Sequence, residues 1–374
     1  MSETLSRREA LKRTILACAG AGLAGACFPL CAEAASPLRM KEAQFYEKLS
    51  GNRVQCKLCP RGCTVADRGR GNCGVRENRG GTYYTLIYGS AAAVNVDPIE
   101  KKPLFHFLPG SRAFSLGTAG CNLHCRDCQN WEISQSRPED VDSDNLQPDK
   151  VIAMAKSYSC KVLAYTYNEP VIFYEYMSDN AEAGRKAGLR SVMISNGYIN
   201  RDPMRKLLPK LDAVKIDWKG VTEDFYRKYC SATLQPVLNT LNRVKALGKW
   251  LEIVYLVVPT VNDSEADLRG MARWTKTYLG TEVPVHFSRF MPNYQLRNLP
   301  PTPIGTLERC HDIARSEGLS FVYLGNVPGH RYESTYCPKC GKTVVKRWGF
   351  EVQENNLRDG KCGACGRAIP GVWS

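Results

Sequence analysis

The feature that most constrains the fold is an alternation of short apolar runs with amphipathic stretches between residues 113 and 324. Runs of strand length begin at residues 113, 162, 191, 213, 251 and 285, with a candidate closing strand at 321–323. Stretches with helical spacing lie between them, at 171–187, 237–247, 265–278 and 306–317. Repeated strand–helix units predict a parallel sheet with right-handed crossovers. The expected fold class is therefore α/β.

The 17 cysteines fall into spaced groups. Such grouping indicates metal binding and not a disulfide framework. Three cysteines lie in the N-terminal 34 residues, while Cys160, Cys230 and Cys310 stand in apolar contexts typical of small buried side chains. The others form an N-terminal group of four, a central group of three and a C-terminal group of four.

The central group, Cys121, Cys125 and Cys128, follows the first predicted strand with C-x3-C-x2-C spacing. Loops at the carboxyl ends of parallel strands carry the chemistry of α/β enzymes. Three thiolates can hold three irons of a [4Fe–4S] cube, and the fourth cysteine of a ferredoxin site does not follow nearby. One iron then stays open to bind a small molecule. A zinc knot or a set of buried thiols is the alternative.

This spacing resembles the signature of the radical SAM superfamily. The resemblance implies that the open iron chelates S-adenosylmethionine, and that one electron splits the sulfonium into methionine and a 5′-deoxyadenosyl radical. The protein then supplies position and shielding. The resemblance also implies a partial (β/α)6 TIM-like barrel over residues 113–324. In that superfamily an aromatic residue near the adenine usually precedes the last cysteine, where this chain has Asp127.

A second motif of the superfamily follows the second predicted strand. The run from Tyr167 to Pro170 stands in the place of G-G-E-P, and only its Glu-Pro matches. The resemblance implies that Asn168 and Glu169 contact the methionine amino group of the cofactor. An ammonium needs a carboxylate or carbonyl acceptor, so Glu169 is the expected acceptor. A helix N-cap explains the same residues equally well.

Two further motifs follow the third and fourth predicted strands. Ser195, Asn196 and Gly197 resemble the T-N-G motif of glycyl-radical activating enzymes, which implies contact with the methionine moiety or ribose; a turn is the alternative. Asp217 and Lys219 resemble the D-L-K motif of those enzymes. That likeness implies that Lys219 approaches the methionine carboxylate and that Asp217 orients it or meets the substrate. An exposed D-x-K pair is the alternative.

The fifth and sixth predicted strands carry weaker signals. The run from Val254 to Pro259 resembles the R-Y-V-V-V-P segment of the pyruvate formate-lyase activating group, with Val254 in place of its arginine. On the sixth strand, alternation puts His286 and Ser288 on one face. His286 is predicted to line the cofactor pocket, with a purely structural histidine as the alternative.

The N-terminal group predicts a small metal-binding module over residues 52–80. Cys56, Cys59, Cys63 and Cys73 are joined by glycine-rich connections, which suit a tetrahedral thiolate site. Structural zinc is the leading interpretation, and an auxiliary iron–sulfur cluster is the alternative.

The C-terminal group predicts a zinc ribbon over residues 334–368. Cys337 and Cys340 form one C-x2-C-G knuckle, and Cys362 and Cys365 form the other. Paired knuckles at this spacing are a strong signal for structural zinc, with rubredoxin-like iron as the alternative.

Residues 1–34 read as a leader. Arg7 and Arg8 fit the twin-arginine export pattern, an Ala/Gly-rich stretch follows, and the run from Ala32 to Ala34 is a candidate cleavage site. The expected location is periplasmic or membrane-tethered, or cytoplasmic if the leader does not function. Because S-adenosylmethionine and low-potential reductants are made in the cytoplasm, an exported enzyme must obtain both elsewhere.

The net charge does not decide between classes of binding partner. The formal net charge is +14, which suits a nucleic acid, a membrane surface or an acidic partner. No basic run interleaved with stacking aromatics occurs, so nucleic-acid binding is not expected.

The order of the motifs within residues 52–366 most resembles the radical SAM component of the AmmeMemoRadiSam system, which is related to pyruvate formate-lyase activating enzymes. Further marks are the runs 128–134, 289–292 and 323–327. The resemblance implies hydrogen abstraction from a small molecule, with Memo-like and AMMECR-like partner proteins and an external electron donor. The alternatives are a glycyl-radical-enzyme activase and a non-catalytic iron–sulfur or zinc-ribbon binding protein.

Overall fold

The computed structural model describes residues 38–374. The predicted leader at residues 1–34, with its export motif and its three cysteines, lies outside the described residues.

The first part of the described chain is built from short antiparallel hairpins. Its seven strands are β1 (Lys41–Glu42), β2 (Tyr46–Leu49), β3 (Arg53–Cys56), β4 (Thr64–Val65), β5 (Arg76–Arg79), β6 (Thr82–Thr85) and β7 (Ser90–Ala91). Strands β2, β3 and β4 form one sheet, and β1, β6 and β5 form another. Glycine-rich turns connect them, as the composition of this region predicts. The first of these strands begins at Lys41, ahead of the segment 52–80 that contains the four cysteines.

An eight-stranded sheet follows. Its strands are β8 (Ala93–Pro98), β9 (Arg112–Gly117), β11 (Val162–Tyr165), β12 (Arg190–Ser195), β13 (Ala213–Asp217), β14 (Trp250–Val257), β15 (Val285–Arg289) and β16 (Val322–Gly325), while the short β10 (Asp144–Asn145) pairs with β7. The order is β16-β15-β14-β13-β12-β11-β9-β8. Strands β9 and β11 to β16 run parallel, and β8 is antiparallel to β9. In the described residues the edge strands β8 and β16 do not pair with each other, so the sheet is open.

The helices lie between the parallel strands. They are α1 (Trp131–Ser134), α2 (Pro148–Ser157), α3 (Tyr174–Lys186), α4 (Arg201–Leu207), α5 (Glu223–Phe225), α6 (Gln235–Ala246), α7 (Glu265–Tyr278) and α8 (Ile304–Ser316). Each long helix buries one apolar stripe; α7, for example, buries Leu268, Met271, Ala272 and Thr275. Strand β11 is buried along its whole length, as expected for a parallel strand covered on both faces.

The predicted alternation of strands and helices is confirmed in this region. Seven parallel strands are present, including the candidate closing strand as β16. The antiparallel strand β8 was not predicted, because its sequence AVNVDP lies half exposed at the sheet edge and carries little periodic signal.

The last part of the chain is a small β unit. Strands β17 (Thr335–Tyr336), β18 (Thr343–Trp348) and β19 (Glu351–Asn355) form one antiparallel sheet, and β20 (Leu357–Arg358) pairs with β21 (Lys361–Cys362). Among residues 38–374, no helix has the length and apolar character needed to cross a membrane.

A buried ion pair joins the N-terminal hairpins to helix α3. Arg76 on β5 donates to the Glu175 carboxylate at 2.5 Å, and both side chains are 1% exposed. The backbone N–H of Gln44 donates to the other oxygen of Glu175 at 2.7 Å. The carboxylate therefore fastens β5 and the segment between β1 and β2 to helix α3.

Replacing Glu175 by alanine should leave the Arg76 guanidinium buried without its partner. Such a loss costs about 3–5 kcal/mol of unfolding free energy. The measurement is the midpoint of urea unfolding, with Glu182→Ala on the exposed face of the same helix as the control. An unchanged midpoint for Glu175→Ala would contradict the fastening role.

Candidate active site

A cavity of about 260 Å³ opens at the carboxyl ends of the parallel strands. Most of the residues predicted to act together line this one space: Cys121, Cys125, Cys128, Asn168, Glu169, Asn196, Asp217 and Lys219. Parallel strands that end at one edge of the sheet bring side chains from distant parts of the sequence together. Asp127 also lines the cavity, at the position where the superfamily usually carries an aromatic ring.

The three central cysteines lie on the loop between β9 and α1. Gly120 opens the loop with φ +85°, and a Cβ there would lie 2.5 Å from the carbonyl oxygen of Cys73, so only glycine fits. The Leu123 N–H donates to the Cys121 Sγ at 3.4 Å, and the Ser134 hydroxyl lies 3.1 Å from the Cys128 Sγ. Donors aimed at these sulfurs favour the thiolate form.

A fourth thiol lies behind the loop. The pKa of Cys125 is raised well above its ordinary value. The hydrogen bond with Cys230 is the largest cause, and burial is the second. The backbone carbonyl of Cys230 also accepts from the His124 N–H at 3.1 Å. Cys230 is fully buried and does not line the cavity, so it supports the loop from outside. Its sequence context indicated only a buried apolar position, since no spacing links it to the central group.

Asn168 braces the cysteine loop. Its side-chain oxygen accepts from the Thr118 N–H at 3.1 Å, and its amide nitrogen donates to the Gly120 carbonyl at 2.7 Å. With both ends of the amide engaged, Asn168 orients the loop in addition to lining the cavity.

Glu169 is buried at the cavity wall and is heavily hydrogen-bonded. Its Oε1 accepts from the Ser195 hydroxyl at 2.7 Å and from the Val171 N–H at 3.0 Å, and its Oε2 accepts from the Asn196 N–H at 2.7 Å. Burial raises the pKa of Glu169 to about 7 although these donors oppose the shift. A carboxylate has about four acceptor positions, so one remains for a ligand.

The turn after β12 is tied to the cysteine loop. The Asn196 amide donates to the Asn122 side-chain oxygen at 2.9 Å, and Asn122 donates to the Tyr198 carbonyl at 2.8 Å. Gly197 has φ +74°, as an Asn-Gly turn requires. Ser195 and Gly197 do not line the cavity; Ser195 instead orients Glu169.

Two lysines flank Asp217 at the end of β13. Lys215 contacts one oxygen of its carboxylate, and the Lys219 Nζ lies 3.3 Å from the other. Burial opposes ionisation of Asp217, but the two lysines outweigh it and lower the pKa of this carboxyl. Lys215 lines the cavity and was not predicted. Alternation along the strand, which puts Lys215 and Asp217 on one face, was the signal for it.

The structure does not bring His286 to the cavity. The ring Nε2 lies 2.7 Å from the Glu252 carboxylate, and the ring packs against Phe105 and Tyr323. Among the described residues that line the cavity, the one from β15 is Ser288 and not His286. These contacts fit the alternative interpretation of His286, a purely structural histidine.

The donor set fits an iron–sulfur cluster with one open corner. Three thiols line the cavity, and among the described lining residues no fourth cysteine accompanies them. Burial raises the pKa of Cys128, while the positive charge of Lys219 opposes that shift. The cavity lining also carries both carboxylates and amines, namely Glu169, Asp217, Lys215 and Lys219. Such a wall can hold a ligand that bears both an ammonium and a carboxylate.

The C-terminal cysteines meet as one group. The ligand atoms of Cys337, Cys340, Cys362 and Cys365 all lie within 4.8 Å of one another. The Cys337 and Cys365 sulfurs are 3.6 Å apart, and those of Cys340 and Cys362 are 3.8 Å apart. Sulfurs of a tetrahedral zinc site lie about 3.8 Å apart, given Zn–S bonds of about 2.3 Å.

The N-terminal cysteines also come together, at the base of the hairpin module. Cys56 and Cys59 are buried, and the Cys56 N–H donates to the Cys63 carbonyl at 2.9 Å. Cys73 and Cys121 line one cavity of about 590 Å³, so this group lies directly beside the central loop.

Comparison with known proteins identifies relatives over most of the chain. The sequence profile described as Radical SAM superfamily matches residues 115–272. An uncharacterized protein of Methanocaldococcus jannaschii is 46% identical over 332 residues, which covers 88% of this chain and 99% of that protein. The pyruvate formate-lyase-activating enzyme of Clostridium pasteurianum is 22% identical over 196 residues, 48% of this chain and 80% of that protein.

Among solved structures, a radical SAM methyltransferase from Sphaerobacter thermophilus is similar, with a TM-score of 0.48 and 13% identity over 82% of this chain and 80% of that chain. The matched residues 115–272 contain the central cysteine loop and the ends of β9 to β14. The chain belongs to the radical SAM superfamily.

Proposed function

We propose that this chain cleaves S-adenosylmethionine reductively at a [4Fe–4S] cluster held by Cys121, Cys125 and Cys128, and that the resulting radical abstracts hydrogen from a small molecule. Membership of the superfamily implies the cluster and S-adenosylmethionine. The observation that carries the proposal is the convergence of these thiols with Glu169 and Lys219 on one cavity. When bound, the cluster supplies one electron and an open iron.

The chain's own residues then hold the methionine part of the ligand. Glu169 has one free acceptor position for the ammonium, while Ser195 and Asn196 keep its carboxylate in place. Lys219 has the charge to meet the carboxylate of the ligand, and Asp217 orients that amine. Asn168 and Asn196 fix the cysteine loop against this wall.

A small-molecule substrate is supported by the polarity of the space. Both lysines and carboxylates line the cavity, which suits a polar compound. We propose that Memo-like and AMMECR-like partners supply or accept this compound, and that an external one-electron donor reduces the cluster.

The substrate class can be tested by deuterium transfer. Cells that express the chain are grown in D₂O, and their extract is divided by ultrafiltration into small molecules and proteins. The purified, reduced enzyme is then given S-adenosylmethionine with each fraction. The proposal predicts deuterium in 5′-deoxyadenosine only with the small-molecule fraction. Transfer only from the protein fraction would contradict it.

Glycyl-radical activation is the second candidate, because the similar proteins include a pyruvate formate-lyase-activating enzyme. In that case the donor of the deuterium is a glycine of a partner protein. The protein fraction would then develop a glycyl-radical EPR signal after turnover, which the small-molecule proposal does not predict.

For location, we propose export through the twin-arginine pathway, directed by residues 1–34. This pathway carries folded proteins, which suits a chain loaded with metal before transport. Fractionation of expressing cells tests it: substitution of Arg7 and Arg8 by lysine should retain the protein in the cytoplasm.

We propose that the C-terminal quartet binds structural zinc. The close approach of its four sulfurs supports this assignment. Cys340→Ser is expected to remove about one zinc per chain and to lower the thermal midpoint, because tetrahedral zinc holds the two knuckles together. Metal analysis and calorimetry measure both, and Cys310→Ser, away from the quartet, is the control. Retention of the zinc, or iron in its place, would contradict the assignment.

A further inference from the structure

The N-terminal quartet of Cys56, Cys59, Cys63 and Cys73 surrounds one small volume. Cys59 is buried, and it lies close enough to the thiols of Cys56, Cys63 and Cys73 for their charges to act on it. The Asn72 N–H donates to the Cys63 Sγ at 3.4 Å. Four thiols from three short segments thus face each other inside the protein.

The spacing of these sulfurs differs from that of the C-terminal quartet. Among residues 38–374, the four sulfurs of the C-terminal quartet all lie within 4.8 Å of one another. The four sulfurs of the N-terminal quartet do not. Tetrahedral zinc needs its sulfurs about 3.8 Å apart. A four-iron cube holds its ligand sulfurs at its corners, further apart. Because the N-terminal sulfurs do not all approach each other so closely, their arrangement suits the cube better than tetrahedral zinc.

Two buried polar groups next to the thiols lack a partner. The Tyr83 hydroxyl and the Arg76 Nε are enclosed and make no hydrogen bond within the described chain. A Cβ at Gly71 would lie 2.6 Å from the Tyr83 hydroxyl and 3.9 Å from the Cys63 Sγ, so the hydroxyl and this thiol border the same small space. A buried donor without a partner destabilises the fold, and cluster sulfides offer it an acceptor.

The quartet is also fastened to the central cysteine loop. The Asn72 side-chain oxygen lies 3.0 Å from the His124 Nε2, and the Arg61 Nε donates to the Asn122 carbonyl at 2.9 Å. Cys73 and Cys121 line the same cavity. A zinc ion at this place would only stabilise the fold. A redox centre at the same place would lie beside the central loop, where it is positioned to pass an electron to the cluster there.

From these observations we infer that Cys56, Cys59, Cys63 and Cys73 bind a second [4Fe–4S] cluster, whose sulfurs accept hydrogen bonds from Tyr83 and Arg76. This inference adopts the second interpretation from the sequence, an auxiliary iron–sulfur cluster, in preference to structural zinc. The cluster passes one electron to the centre at Cys121; a low-potential one-electron donor restores it. This transfer, unlike cluster binding itself, rests on the proposed function.

The full chain in which Cys121, Cys125 and Cys128 are all replaced by alanine tests cluster binding alone. It is reconstituted anaerobically with iron, sulfide and zinc present, and its metals and Mössbauer spectrum are measured. We expect about four irons per chain with matching sulfide. No iron and a second zinc would overturn the inference. Wild type that holds no more iron than this variant would instead contradict the proposed function.

Tyr83→Phe keeps every ligand and removes one donor. Loss of a hydrogen bond to a cluster sulfur destabilises the reduced form, so one of two reduction steps should move to a more negative potential while the iron content stays the same. Cys160→Ala is the control, because that buried thiol lies just before the amino end of β11, whereas the central cysteines lie at the carboxyl ends of the strands. A potential that does not move in Tyr83→Phe would overturn the assigned hydrogen bond.

Discussion

Replacement of Cys125 by alanine is expected to abolish formation of 5′-deoxyadenosine from S-adenosylmethionine. With only Cys121 and Cys128 left on the loop, the cluster loses one of its three protein ligands. Loss even of a partner that supports a metal ligand typically costs about 10- to 100-fold, so loss of the ligand should exceed about 100-fold. Anaerobic turnover with dithionite, followed by chromatography of the nucleoside, measures the effect.

Cys310→Ala is the matched control for this prediction. Cys310 is fully buried in α8 and stands apart from every cysteine group. Its replacement should leave both iron content and product unchanged. Undiminished 5′-deoxyadenosine from Cys125→Ala would show that the central loop does not hold the reactive cluster.

Glu169→Gln is expected to weaken S-adenosylmethionine binding and to remove its pH dependence. Because burial raises the pKa of Glu169 to about 7, the carboxylate is ionised above this pH and protonated below it. Only the ionised form attracts an ammonium. From pH 8 to pH 6 the dissociation constant of the wild type should therefore rise about tenfold. Isothermal titration calorimetry at several pH values measures this.

Two checks separate ligand binding from folding. Glutamine keeps one acceptor oxygen for Ser195 or Val171, so the thermal midpoint should fall only slightly if Glu169 serves the ligand. Glu182→Gln, an exposed carboxylate on α3, should retain the wild-type pH profile. A pH profile that persists in Glu169→Gln would assign the titration to another group.

Much of the central sheet follows from local patterns in the sequence. Helix α7 has the predicted bounds, and the seven parallel strands lie where apolar runs were found. Periodicity depends only on residues that are close in sequence, so it can be recognised without knowledge of the fold. Strand β8 was not predicted because its sequence is partly polar and half exposed at the sheet edge.

The site was less predictable where partners come from distant segments. The position of His286 depends on Glu252, which lies 34 residues away on the adjacent strand. Cys230 meets Cys125 only because the segment after α5 folds back on the loop. Asn168, expected to contact the cofactor, also binds two backbone groups of the cysteine loop. Such pairings depend on tertiary packing and leave no spacing signal.

The most direct test of the central claim is the reduction of S-adenosylmethionine by the reconstituted full chain. The protein is reduced with dithionite under anaerobic conditions, and methionine and 5′-deoxyadenosine are quantified over time. The three thiols around a cavity that also carries Glu169 and Lys219 predict equal amounts of both products. A fully loaded, reduced cluster that leaves S-adenosylmethionine intact would contradict the claim.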